Sequence, residues 1–70
     1  MKASDFTDER IDDIRSGRTS PTEAERFFLL EDTPRFEECG YTEAELKAMS
    51  DGALMSAAYG VWADYARCMF

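Results

Sequence analysis

Helix start signals recur along these 70 residues at intervals too short for anything but a set of brief helices. Thr7-Asp8-Glu9 places a hydroxyl cap ahead of two acids, where the positive end of a helix dipole favours negative charge. A first helix is therefore expected over about Asp8 to Ser16, with Phe6, Ile11 and Ile14 as a thin apolar face. Gly17 should close it, because glycine adopts positive φ freely in the position after a helix. Ser20-Pro21-Thr22-Glu23 combines an N-cap serine, proline at the first helical position and glutamate three residues after the cap, and so opens a second helix. That helix carries Ala24, Phe27, Phe28, Leu29 and Leu30 and should end near Glu31, ahead of Pro34, which cannot donate to the helical ladder.

Thr33-Pro34 repeats the cap-then-proline order and predicts a short third helix through Phe36 to Cys39, closed by Gly40. Thr42-Glu43-Ala44-Glu45 is a capping box that opens a fourth helix reaching about Met49. Ser50-Asp51-Gly52 reads as a break and a new cap. Beyond it Leu54, Met55, Ala58, Val61, Trp62, Tyr65, Cys68 and Met69 fall three and four residues apart, the period of a long last helix from Asp51 to about Cys68. A sheet has little support, since most of the threonines sit at caps and alanine, the best helix former, is the commonest residue. The expected fold is all-α: one domain over residues 1–70, a compact bundle of four to five short helices with a longer C-terminal helix, which Phe27, Phe28, Leu30, Phe36 and Leu46 would wrap.

Composition narrows function by exclusion. A formal charge of −7 and a pI near 4.3 oppose direct nucleic-acid binding, which needs a basic stripe to release counterions from phosphates. The same sign disfavours anionic membrane surfaces, and no apolar run is long enough to span a bilayer. Asp5 interrupts the stretch where an export signal would be apolar, so a cytoplasmic location is expected. Cys39 and Cys68 are too few for a disulfide scaffold and read as free thiols, and without histidine or a C-x-x-C pair no metal site is implied. Histidine-based proton transfer is impossible, and nucleophile-elbow, P-loop and dinucleotide patterns are absent, so neither an enzyme nor a cofactor is expected. The adjacent carboxylates Asp12-Asp13, Glu31-Asp32 and Glu37-Glu38 do not share a site, because neighbours on a helix point about 100° apart.

Two surfaces remain as candidates. Asp8 with Asp12, and Glu9 with Asp13, are like-charge pairs four residues apart, each destabilising a helix by ~0.2–0.5 kcal/mol. They are either a solvated face or an anionic patch for a basic partner, which Glu31, Asp32, Glu37 and Glu38 would extend, unless Asp32 caps the third helix. Reversing Asp12 and Asp13 to lysine should then weaken binding more than tenfold. The second surface is the last helix, apolar around most of its circumference. Either it is the centre of the bundle, or Met55, Tyr59, Trp62 and Met69 form an oligomer or partner interface, with Met55 and Trp62 as the contact pair and Ala57, Gly60 and Ala63 allowing close approach.

In size, acidity and compactness the whole chain resembles the small acidic anti-CRISPR proteins that bacteriophages encode, several of which present carboxylates to the basic channel of a CRISPR surveillance complex. The resemblance implies a non-enzymatic inhibitor of a basic host protein or nucleoprotein complex, a DNA mimic whose carboxylates on the first two helices stand in for phosphates. The alternative from the residues alone is a homo-oligomerising adaptor, a homodimer for instance, that uses its apolar C-terminal helix.

Overall fold

In the computed structural model, which describes residues 1–36 and 39–68, the side-chain oxygen of Thr7 accepts the Arg10 N–H at 3.1 Å and starts helix α1, Asp8–Ser16. Gly17 ends it at φ 82°, and the N–H groups of Gly17 and Arg18 bond back to the carbonyls of Ile14 and Asp13. Both boundaries are the expected ones. Helix α2, Glu23–Asp32, begins two residues later than the Ser20-Pro21 signal implies. Thr22 is the cap: its hydroxyl accepts the Glu25 N–H at 3.1 Å, and the Glu25 carboxylate accepts the Thr22 N–H at 2.7 Å. The later register wins because Arg10 holds Glu25 in place from α1 while also donating to the Ser20 carbonyl, which keeps Ser20 and Pro21 outside the helix.

α2 runs without a break into a 3₁₀ turn, Thr33–Arg35. The expected third helix is only this turn, because Phe36 is extended, at ψ 137°; Glu37 and Glu38 lie outside the described residues. Asp32 does not cap the turn with its side chain. A reciprocal box between Thr42 and Glu45 opens α3, Glu43–Ala48, and α4 spans Asp51–Cys68 with Ser50 accepting the Ala53 N–H. The side chain of Cys68, with Met69 and Phe70, lies outside the described residues. The architecture is an all-α bundle, with a second 3₁₀ turn at Ala3–Asp5 and no strand among the described residues.

α4 is the spine. Its Leu54, Met55 and Ala58 meet Ile11 and Ile14 of α1, Leu29 of α2 and Leu46 of α3 in one buried core, and Val61 is buried as well. Burying such side chains contributes about 1.5–3 kcal/mol each, the main favourable term in a chain this small. α4 packs most extensively on α1, and Gly52 makes this possible: a Cβ there would stand 3.0 Å from the Arg15 carbonyl oxygen. Phe6, just before α1, closes the other end, with ring centroids 5.7 Å from Trp62 and 6.1 Å from Phe28. Arg26 of α2 ties the α3–α4 junction by pairing with Asp51 at 2.7 Å and donating to the carbonyls of Lys47 and Met49. Phe27, expected to wrap α4, instead faces outward.

Candidate functional site

α1 separates its charges by sign. At roughly 100° per residue, Asp8, Glu9, Asp12 and Asp13 fall within an arc of about 140° opposite the buried Ile11 and Ile14. Asp8, Glu9 and Asp12 are exposed and form no ion pair among the described residues. Asp13 is half-buried and paired with Arg18 at 2.8 Å, which removes it from the unpaired set. The two arginines within α1 turn to other helices. Arg10 grips Glu25 with two bonds, of 3.0 and 2.6 Å, and Arg15 donates to Ser56 Oγ at 3.2 Å while its guanidinium lies 5.1 Å from the Tyr59 ring centroid. Asp12 shares a shallow depression with Arg15, Arg18 and Ser56, so the negative field is strongest over the first turn, at Asp8 and Glu9.

The Arg10–Glu25 clamp is electrostatically the tightest part of the molecule. The hydrogen bond from Arg10 pulls the Glu25 carboxyl down from 4.5 to about 2; burial opposes this and the Thr22 N–H assists it. The same bond raises the Arg10 guanidinium. Glu25 is the buried carboxylate of α2, and its pairing is what allows burial at all.

The two α2 acids expected to extend the acidic face have settings of their own. Asp32 is half-buried and accepts the Trp62 indole N–H at 3.3 Å, so it serves the aromatic cluster. Glu31 is exposed on the rim of a different feature, a half-open groove of about 450 Å³ between α2, the Thr33–Arg35 turn and α3. Phe27, Leu30 and Pro34 supply its apolar lining, and Glu31, Arg35, Glu43 and Lys47 its charges. Glu37 and Glu38 lie outside the described residues.

The apolar surface expected on the last helix is also corrected. Met55 has 0 % exposure and belongs to the core, and Trp62 is half-buried against Phe6 and Phe28, so the two do not form a surface contact pair. Tyr59 is 41 % exposed but lies under Arg15, and Met69 lies outside the described residues. Sequence reasoning missed Phe27 as a surface residue, although a signal was available: Glu23 and Glu31 stand four residues either side of it, placing all three on one strip of α2.

Among the described residues no group of three or more Cys, Asp or Glu is placed to hold a metal ion, and no helix is long and apolar enough to cross a membrane. Compared with known proteins, the chain matches no family model, no curated protein and no solved structure.

Proposed function

We propose that this protein is a non-enzymatic inhibitor that binds a larger basic protein or nucleoprotein complex through the outward face of α1, occupying a surface that would otherwise hold nucleic acid. One observation carries this reading: α1 directs both of its arginines to neighbouring helices and leaves Asp8, Glu9 and Asp12 facing solvent without ion pairs among the described residues. A negative first turn on a chain of net charge −7 steers encounter with a basic cleft and repels nucleic acid itself. Asp8 and Asp12 are separated by about 6 Å along the helix axis. The reading is of anti-CRISPR type, with a CRISPR surveillance complex as the partner class and the cytoplasm as the place of action.

The test is inhibition of DNA binding by a panel of purified CRISPR surveillance complexes, with wild-type protein and with the Asp8→Lys/Asp12→Lys variant. Asp8 and Asp12 replace the adjacent pair Asp12 and Asp13 because Asp13 is already neutralised by Arg18. The wild type should inhibit at least one complex, and the double reversal should weaken that inhibition more than tenfold. Inhibition should also fade as salt rises past about 0.15 M, where screening shortens to about 8 Å. Failure to inhibit any complex, or equal inhibition by the variant while its helical spectrum is intact, would refute the proposal. An adaptor acting through the apolar face of α4 has less support, because Met55 and Trp62 are already engaged within the fold.

A further inference from the structure

We infer that Glu25, together with a seat formed by Ser56 and Tyr59, sets how strongly α1 attracts a cationic partner without touching that partner, by withholding Arg10 and Arg15 from the acids beside them. The inference rests on the reading of α1 given above and names what regulates that surface.

The acids of α1 are bracketed by its two arginines. At roughly 100° per residue, Arg10 stands about 60° beyond Asp13 on one side and Arg15 about 60° beyond Asp12 on the other. Both pairs are three residues apart, the spacing at which opposite charges on an isolated helix attract. In the fold neither pair closes to 4 Å, because each arginine is anchored on another helix. Arg10 is half-buried and bonds Glu25 of α2 twice, at 3.0 and 2.6 Å. Arg15 is exposed, yet its Nε donates to Ser56 of α4 at 3.2 Å and its guanidinium lies 5.1 Å from the centre of the Tyr59 ring. The anchors differ in kind: Glu25 cancels the charge of Arg10 as well as holding it, whereas Ser56 and Tyr59 hold Arg15 and cancel nothing. At both, the field over Asp8, Glu9 and Asp12 can be lowered with every acid of α1 left in place.

The field is read at the backbone amides of α1 from their relaxation by a cationic and by an anionic nitroxide co-solute, since the ratio of the two effects follows the local potential. In the wild type the cationic probe should dominate over residues 8–12. Glu25→Gln leaves Arg10 uncancelled and should lower the cation-to-anion ratio there by about twofold or more at low salt. Arg10→Gln/Glu25→Gln should restore it, and Glu43→Gln, the same change of net charge on α3, should leave it nearly unchanged. Ser56→Ala/Tyr59→Leu alters only exposed side chains, keeps the net charge at −7 and should lower the ratio at Asp12 as Arg15 closes on it, which keeps the test decisive if Glu25→Gln unfolds. Equal ratios in the wild type and the folded anchor variants, or a fall with Glu43→Gln matching that of Glu25→Gln, would overturn the inference. In the DNA-binding assay the anchor variants should inhibit several-fold less than the wild type. A lowered ratio with undiminished inhibition would instead refute the α1 contact on which the inference rests.

Discussion

The outward face of α1 and the groove beside α2 both display exposed carboxylates, yet they are opposite kinds of surface. On α1 Arg10 and Arg15 bond to other helices, so the first turn, at Asp8 and Glu9, keeps one sign, while Asp12 and Asp13 lie beside Arg15 and Arg18. At the groove each acid is matched by a base on the same wall, around an exposed Phe27. What separates them is where the cations go. Arg10 and Arg26 act as internal ties, from α1 to α2 and from α2 to the α3–α4 junction, while Arg35 and Lys47 stay at the surface. A face of one sign acts at range and fades with salt; a balanced, partly apolar groove acts only on contact and selects by shape.

The largest effect should come from removing the sink that draws Arg10 off the α1 surface. Glu25→Gln is expected to lower stability at neutral pH by roughly 3 kcal/mol, the linkage value of a carboxyl moved from 4.5 to about 2. Because the folded-state value is depressed, this stabilisation is fully present above about pH 4.5 and disappears as pH falls through about 2. Urea unfolding at a series of pH values should show wild type and variant converging at the acid end; a constant gap would show that the charge of Glu25 is not what matters.

Next in size is the seat of α1 on α4. Gly52→Ala forces a methyl group to 3.0 Å from the Arg15 carbonyl and should cost about 1–3 kcal/mol, seen as a lowered thermal midpoint. Gly60→Ala is the control, since a Cβ there meets open space and should stabilise the helix by up to about 1 kcal/mol. If the two substitutions behave alike, the close approach of α1 and α4 is wrong.

The smallest effects divide the two surfaces directly. Asp12→Ala relieves the repulsion with Asp8 and should raise stability by ~0.2–0.5 kcal/mol while weakening partner binding. Glu31→Ala removes an acid whose neighbour four residues on, Arg35, has the opposite sign, and should bring no such gain. Paired denaturation curves measure both; a gain from Glu31→Ala equal to that from Asp12→Ala would erase the distinction.

Local chemistry made α1 legible from end to end, because Thr7 and Gly17 bracket it and its acids are contiguous in sequence. The same logic placed α3 and α4 within a residue. It misplaced the start of α2 because two overlapping cap signals compete there, and the choice between them is made by Arg10, fifteen residues away from Glu25 in sequence. The exposure of Asp8, Glu9 and Asp12 was legible because one helix carries them. Asp32 left the set for a bond to Trp62, thirty residues distant, which no local pattern encodes. Phe27 was assigned to the core by type, and it faces outward; for α4 the spacing left the bundle centre and an interface both open, and the burial of Met55 selects the first.

The proposed role of α1 is to occupy a nucleic-acid surface on a basic partner. The most direct measurement is binding of the protein to one inhibited CRISPR surveillance complex in its DNA-free form and again after saturation with target DNA. Mutual exclusion is predicted, with DNA lowering the apparent affinity in proportion to its own occupancy. Equal affinity for the empty and the DNA-loaded complex would contradict the account.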